Sequence, residues 1–420
     1  MRHLILASAA LAACTSAQQP AASAGRANIA TTPPTGVTIE KLGQFTEPFA
    51  MAFLPDASLL VTEKAGTLKL RTPDGGVTTV AGAPAVAAGG QGGLLDVAVA
   101  PDFARSRIVY LSYAEPRPTG SSLALARATL TMKRVQCVTA PCPPQASLDG
   151  LTVLWRAGSD GKGGQFGATI AFAPDGKSLF LASGERQRFT PAQDPNQALG
   201  KIVHLTLDGK PWPGNPQAGK SGAATIGVID PPANTGAAAT AAVRQQPVEG
   251  VNTAPAATWS SGHRNPYGLA FDAGGRFWEV EMGPKGGDEV NLIAKGGNYG
   301  WPRASNGDNY DGSDIPNHRL GDGFVAPALW WNPSISPGGM MIYSGAMFPQ
   351  WRGDMFVAAL SAKGLIRIAL TGDTAKTVQQ WDMGTRIRDV AQAPDGAIWV
   401  LEDGGRGANG TLMRLTPAKS

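Results

Sequence analysis

Arg264 and Asn265 stand in a turn that begins at Ser261, and Gly283-Pro284 forms a break shortly before the acidic pair Asp288 and Glu289. A guanidinium that stays charged, an amide that donates and accepts, and carbonyls freed at a Gly-Pro break are parts of a polar site rather than of a core. Further on, Arg386 and Arg388 alternate, so on a strand both side chains face one way. Two guanidiniums on one face suit bidentate recognition of carboxylates. The competing reading of that pair is an exposed, charged strand face.

A hairpin positions the first of these groups. Tyr267 to Glu281 reads as two short strands around Ala273-Gly274-Gly275, with Trp278 and Val280 alternating against Glu279 and Glu281. Arg264 and Asn265 then lie on the loop entering the hairpin and Gly283-Pro284 on the loop leaving it, at the same end.

The hairpin is one of six. Apolar runs flanking a turn of Pro, Asp or Gly recur around Pro55, Pro101, Pro174, Asp272, Pro349 and Pro394. Six such units with no intervening linker predict an all-β chain, a six-bladed β-propeller, rather than two β-sandwiches. The insertions around Pro143 and from Gly214 to Val251 would be long loops on one face. Composition agrees, because 54 Gly and 33 Pro with only 16% charged residues favour tight turns over ion-paired helices. The net charge is +4 and no run of Lys or Arg forms a stripe, which argues against a nucleic-acid partner.

The N-terminus sets the compartment. Met1-Arg2-His3 precedes an apolar run, Leu4 to Ala13, too short to span a bilayer and suited to a signal peptide. Leu11-Ala12-Ala13-Cys14 resembles a bacterial lipobox, so residues 1–13 would be a leader and Cys14 a lipid anchor on the periplasmic side. An ordinary secretory leader cleaved nearby is the other reading. Residues 14–36 read as a flexible tether and 37–420 as the propeller. In an oxidising compartment Cys137 and Cys142 would pair as a local disulfide.

Five blocks occur in order: GGQGGLLDVAVAPDF from Gly89, AQDPNQALGKIVHLTLDG from Ala192, GHRNPYGLAF, GPKGGDEVNLIAKGGNYGWP, and RIRDVAQAPDG from Arg386. Together they resemble the soluble aldose dehydrogenases dependent on pyrroloquinoline quinone (PQQ), the glucose/sorbosone dehydrogenase family, from about Val37 to Pro417. That resemblance implies a six-bladed propeller in which Gln91, Arg264, Asn265, Lys363, Arg386 and Arg388 hold PQQ. It implies main-chain oxygens of Gly283 and Pro284 on a Ca²⁺ shared with the quinone, and Glu289 and Tyr299 at a second Ca²⁺. Arg264 would stabilise charge on the quinone, and Trp330 or Trp331 would face the sugar; a blade core is the alternative for each tryptophan. The reaction implied is oxidation of an aldose to a lactone, with electrons passed to an external acceptor.

One departure from the family is chemical. Its general base is a histidine in a His-Phe-Gly block, and here the block begins with Gln165; Thr169 stands where relatives carry arginine. An amide does not accept a proton near neutral pH, whereas an imidazole does. His204 lies on an expected strand, His263 in the turn, and His318 in a loop free to reach the channel; Asp160 and Lys162 lie just before Gln165. A PQQ- or sugar-binding lipoprotein with little turnover therefore stands beside the dehydrogenase, and a Ca²⁺-dependent lactonase or a scaffold is a third reading.

Overall fold

The computed structural model describes residues 30–136, 139, 142–230 and 242–418, and the backbone of 25–26. The expected leader with Cys14 lies outside the described residues, as does Cys137; Cys142 is disulfide-bonded.

Six four-stranded antiparallel blades surround a central channel. Their innermost strands are Pro48–Phe53, Leu94–Val99, Gly167–Phe172, Pro266–Phe271, Pro337–Ile342 and Ile387–Gln392, for blades 1 to 6. Each touches the next, and the last touches the first, so the ring is closed. The six sequence hairpins are the first two strands of the six blades, in order. Each hairpin carries a register shift just after the start of its inner strand. This repeated bulge turns the first side chains into the channel mouth. Blades 1 and 2 merge into one sheet, because Val80–Ala81 pairs in parallel with Ala146–Ser147. Blade 6 takes its outer strand from the other end of the chain: Val37–Thr46 runs antiparallel to Asn409–Pro417.

Six apolar clusters fill the spaces between neighbouring blades. Second strands are therefore buried on both faces, as Leu59–Glu63 and Phe277–Glu281 are throughout. The alternation along Phe277–Glu281 reflects two interior faces. Trp278 and Val280 enter the core against blade 5, while the Glu279 and Glu281 side chains join a buried polar layer with Asn291 and His263.

Two insertions reach the channel mouth. A hairpin in blade 3, Thr225–Ile229 with Val243–Pro247, packs on the glycine-rich loop before Gln165 through Gln246 to Gly158 O and Arg244 to Asp160 O. The loop between the last two strands of blade 4 is pinned where Gly307–Asp308 pairs with Lys285–Gly286. Part of the expected tether is also held: Gly25–Arg26 pairs with Leu329–Trp330, and Thr32 bridges to Trp381. No helix among the described residues is long and apolar enough to cross a membrane.

Candidate active site

The loops entering each inner strand and those leaving each second strand converge at one end of the channel. They enclose a cavity of about 400 Å³. Arg386, Arg388 and Arg406 come from blade 6, Lys64 from the turn after the second strand of blade 1, and Gln91 from the loop entering blade 2. Phe49, Tyr267 and Leu360 supply apolar wall. A flat molecule carrying several carboxylates matches this combination of cations and rings.

Arg386 and Arg388 do face one way, for they share one carboxylate. Asp403 accepts from Arg386 Nε at 2.9 Å and from Arg388 Nε at 2.8 Å. Burial opposes the charge on Asp403, yet Arg388 and Arg386 hold its carboxyl below the usual range. The Arg388 guanidinium lies 5.2 Å from the Phe49 ring centroid and 5.8 Å from that of Tyr267. These three residues also roof a second chamber of about 270 Å³, deeper in the channel. Asp96 and Asp389 border it, and each clasps two blades. Asp96 accepts from Ile170 N at 2.7 Å and Asp389 from Met51 N at 2.8 Å. Burial pushes both carboxyls up to about 7, and for Asp389 the facing Asp96 adds to the rise. Thr169 lines this chamber.

Arg264 and Asn265 are fixed through their backbone: Glu281 Oε2 accepts from Arg264 N at 2.6 Å and from Asn265 N at 3.1 Å. Arg264 Nη1 donates to Met282 O and Gly283 O, and its buried Nε has no partner among the described residues. Trp301 and Tyr310 flank the guanidinium at 5.2 and 5.9 Å. A small void of about 10 Å³, the size of one water or one ion, adjoins Arg264, Gly283, Pro284, Glu281, Glu289 and Tyr299. Carbonyl and carboxylate oxygens around a void of that size suit a hard cation. Burial raises the Glu289 carboxyl well above its usual range, and Glu281 adds to the rise. The hydroxyl of Tyr299 donates to Leu292 O at 2.7 Å and accepts from Ala294 N, so only its main-chain oxygen is free to ligate.

Gln165 is buried, with φ +53°. Its N–H donates to Gln91 Oε1 at 2.7 Å, and its own Oε1 accepts from Gln187 N at 3.3 Å. Beneath it Arg186, fully buried, donates to the carbonyls of Gly161, Gly163 and Gly164, and Glu185 gathers the N–H groups of Gln187, Arg188 and Phe189. Residue 165 is thus held behind Gln91, which lines the cavity, with its amide oxygen engaged.

Other expectations are corrected. Trp331 packs in the core between blades 4 and 5, and Trp330 lies on the outer strand of blade 4, opposite Glu289; neither borders the cavity. Lys363 is exposed in the turn of blade 5, and Leu360 occupies the wall instead. His318 is no free loop residue: its side chain is 2% exposed, 3.8 Å from both Glu289 and Asp322. His204 stacks on Phe180 at 3.9 Å, and burial lowers its pKa to about 4. His263 lies between Ser260 and Glu281. Asp160 pairs with Arg117 at 3.1 Å, and Lys162 is exposed. The sequence reading missed Lys64, Asp403, Arg406, Tyr267 and Tyr310. Four of them sit at the mouth ends of the repeated hairpins or in the turns leaving them, a position that superposing the six repeats picks out.

The family model described as Glucose / Sorbosone dehydrogenase matches residues 45–227 and 237–414. The chain is 35% identical over 396 residues to aldose sugar dehydrogenase YliI of Escherichia coli (strain K12), covering 91% of this chain and 94% of that one. The crystal structure of the soluble aldose sugar dehydrogenase from Escherichia coli, in the apo form, superposes with a TM-score of 0.74 at 33% identity, over 91% of this chain and 100% of that one. The PQQ-bound aldose sugar dehydrogenase from Streptomyces coelicolor gives 0.63 at 26%, over 91% and 100%.

Proposed function

Because the chain belongs to the glucose/sorbosone dehydrogenase family and is a sugar oxidoreductase, we propose that it oxidises an aldose to its lactone with PQQ and Ca²⁺, passing the electrons to an external acceptor. The carrying observation is the cluster of Arg386, Arg388 and Arg406 around a cavity whose other walls include Phe49, Tyr267 and Leu360.

Bound PQQ would supply an ortho-quinone able to take up a hydride. Arg386, Arg388 and Arg406 would hold its carboxylates, and Gln91 and Asn265 would contribute amides. The Gly283 and Pro284 carbonyls would hold Ca²⁺, which acts as a Lewis acid beside the quinone. Gly283 O now accepts from Arg264, so a cation taking that oxygen would free one Nη1 N–H, the other staying on Met282 O, to stabilise charge developing at the reacting end. Glu289, with the main-chain oxygen of Tyr299, would hold the second Ca²⁺. Tyr310, exposed beside Arg264, is better placed than Trp330 or Trp331 to meet a sugar ring.

A second reading rests on Gln165. With its oxygen engaged by Gln187 N, the side chain at this position cannot take a proton, which favours a protein that binds PQQ or sugar with little turnover. Titrating the leaderless protein with PQQ and Ca²⁺, then adding aldoses, separates the two. Bleaching of the quinone absorption establishes the dehydrogenase. Binding without bleaching establishes the second reading, and absence of binding sinks both.

A further inference from the structure

The described histidines lie away from the cavity and Gln165 is engaged, so a dehydrogenase built on this site needs another proton acceptor. The titratable side chains on the cavity wall are few. Arginines stay protonated. Asp403 is held low by two of them, and the Tyr267 hydroxyl donates to Gln91 Oε1. Glu47, on the turn before blade 1, accepts from Gly407 N at 2.8 Å at the rim. Lys64 remains. Its Nζ donates to Gly90 O at 2.8 Å, and the adjoining Gln91 holds the backbone of Gln165. Lys64 therefore lies on the cavity wall beside the Gly90–Gln91 turn that anchors the backbone of residue 165.

We propose that Lys64 is the proton acceptor of this enzyme, standing in for the imidazole that residue 165 does not provide. The inference rests on the dehydrogenase reading. In the step, the neutral amine takes the proton of the anomeric hydroxyl and becomes ammonium. The C–H electron pair leaves the same carbon as hydride to the quinone, and the carbon–oxygen bond becomes the lactone carbonyl. The sugar loses two electrons and the quinone gains them. The surroundings favour the neutral amine: burial lowers the Lys64 pKa, and Arg388 and Arg406 lower it further against the opposing pull of Glu47 and Asp403. A half-buried amine among guanidiniums is a base poised nearer neutrality than a free lysine.

Two measurements test this. In the apo protein, acetic anhydride labelling read by mass spectrometry across pH 6 to 10 reports each lysine's neutral fraction. Lys64 should react at lower pH than exposed Lys177 and Lys363; titration alongside them overturns the proposal. In the loaded enzyme, Lys64→Arg keeps the reach and a donor for Gly90 O but cannot act as a base. PQQ affinity should stay within about threefold while kcat falls about 10²–10⁴-fold. A kcat within tenfold of the wild type overturns the assignment and leaves the dehydrogenase standing. A loaded wild type that oxidises no aldose refutes the dehydrogenase reading and this inference with it.

Discussion

Replacing Asp389 by Asn should change sign in its effect on stability between pH 5 and pH 8. The Asp389 and Asp96 carboxyls titrate near 7 in the fold, against 3.8 when exposed. A folded pKa above the unfolded one means the native state holds protons that the unfolded chain has released. The associated stability is fully present below about pH 4 and is lost as pH rises through 7. A shift of about three units is worth up to about 4 kcal/mol for one isolated acid. Two features reduce that figure here. The acids border a chamber of about 270 Å³ that admits water, and they titrate as a pair, so the second ionisation carries much of the cost. About 2 kcal/mol lost between pH 5 and pH 8 is the working value. In Asp389→Asn the amide oxygen can still accept from Met51 N, but the bond from Val390 N is lost, at about 1 kcal/mol. The variant should melt below the wild type at pH 5 and above it at pH 8. Thermal midpoints at a fixed scan rate across that range decide the matter. Parallel pH curves for the two proteins would refute the argument that these acids are held protonated by the channel.

Two further outcomes are expected. Arg388→Met leaves Asp403 with one guanidinium and removes a cation from the cavity, so PQQ affinity should fall at least about tenfold to a hundredfold in an absorbance titration; unchanged affinity would remove Arg388 from the cofactor site. We also propose export as a lipoprotein, so Cys14→Ser should move the protein from the membrane fraction to the soluble periplasm. Retention in the membrane would place the anchor elsewhere.

The repeated hairpins were legible because a blade's first two strands are contiguous in sequence, and their turns follow local Pro, Asp and Gly chemistry. The closing strand of blade 6 was not, since Val37–Thr46 and Asn409–Pro417 share no local signal and meet only through the closed ring. Arg264, Gly283 and Arg386 stood out because glycine, proline and charge cluster beside them. Lys64 and Asp403 each follow a glutamate at the end of an apolar strand, a pattern equally expected of a solvated turn. Trp331 was misplaced for a related reason. Alternation gives the two faces of a strand, but in a propeller one face meets the next blade and neither need meet the channel.

The strand borrowed by blade 6 bears on how the molecule is made. Its partner is the last strand of the chain, so Val37–Thr46, made early, keeps an open edge until the final strand emerges. Closure then joins residues at opposite ends of the polypeptide, the slowest kind of contact to form. The cavity is built across that seam, with Glu47 and Lys64 on one side and Arg386, Arg388 and Asp403 on the other. A chain truncated before residue 409 would therefore lack the seam and an assembled site together, however well its other five blades had folded.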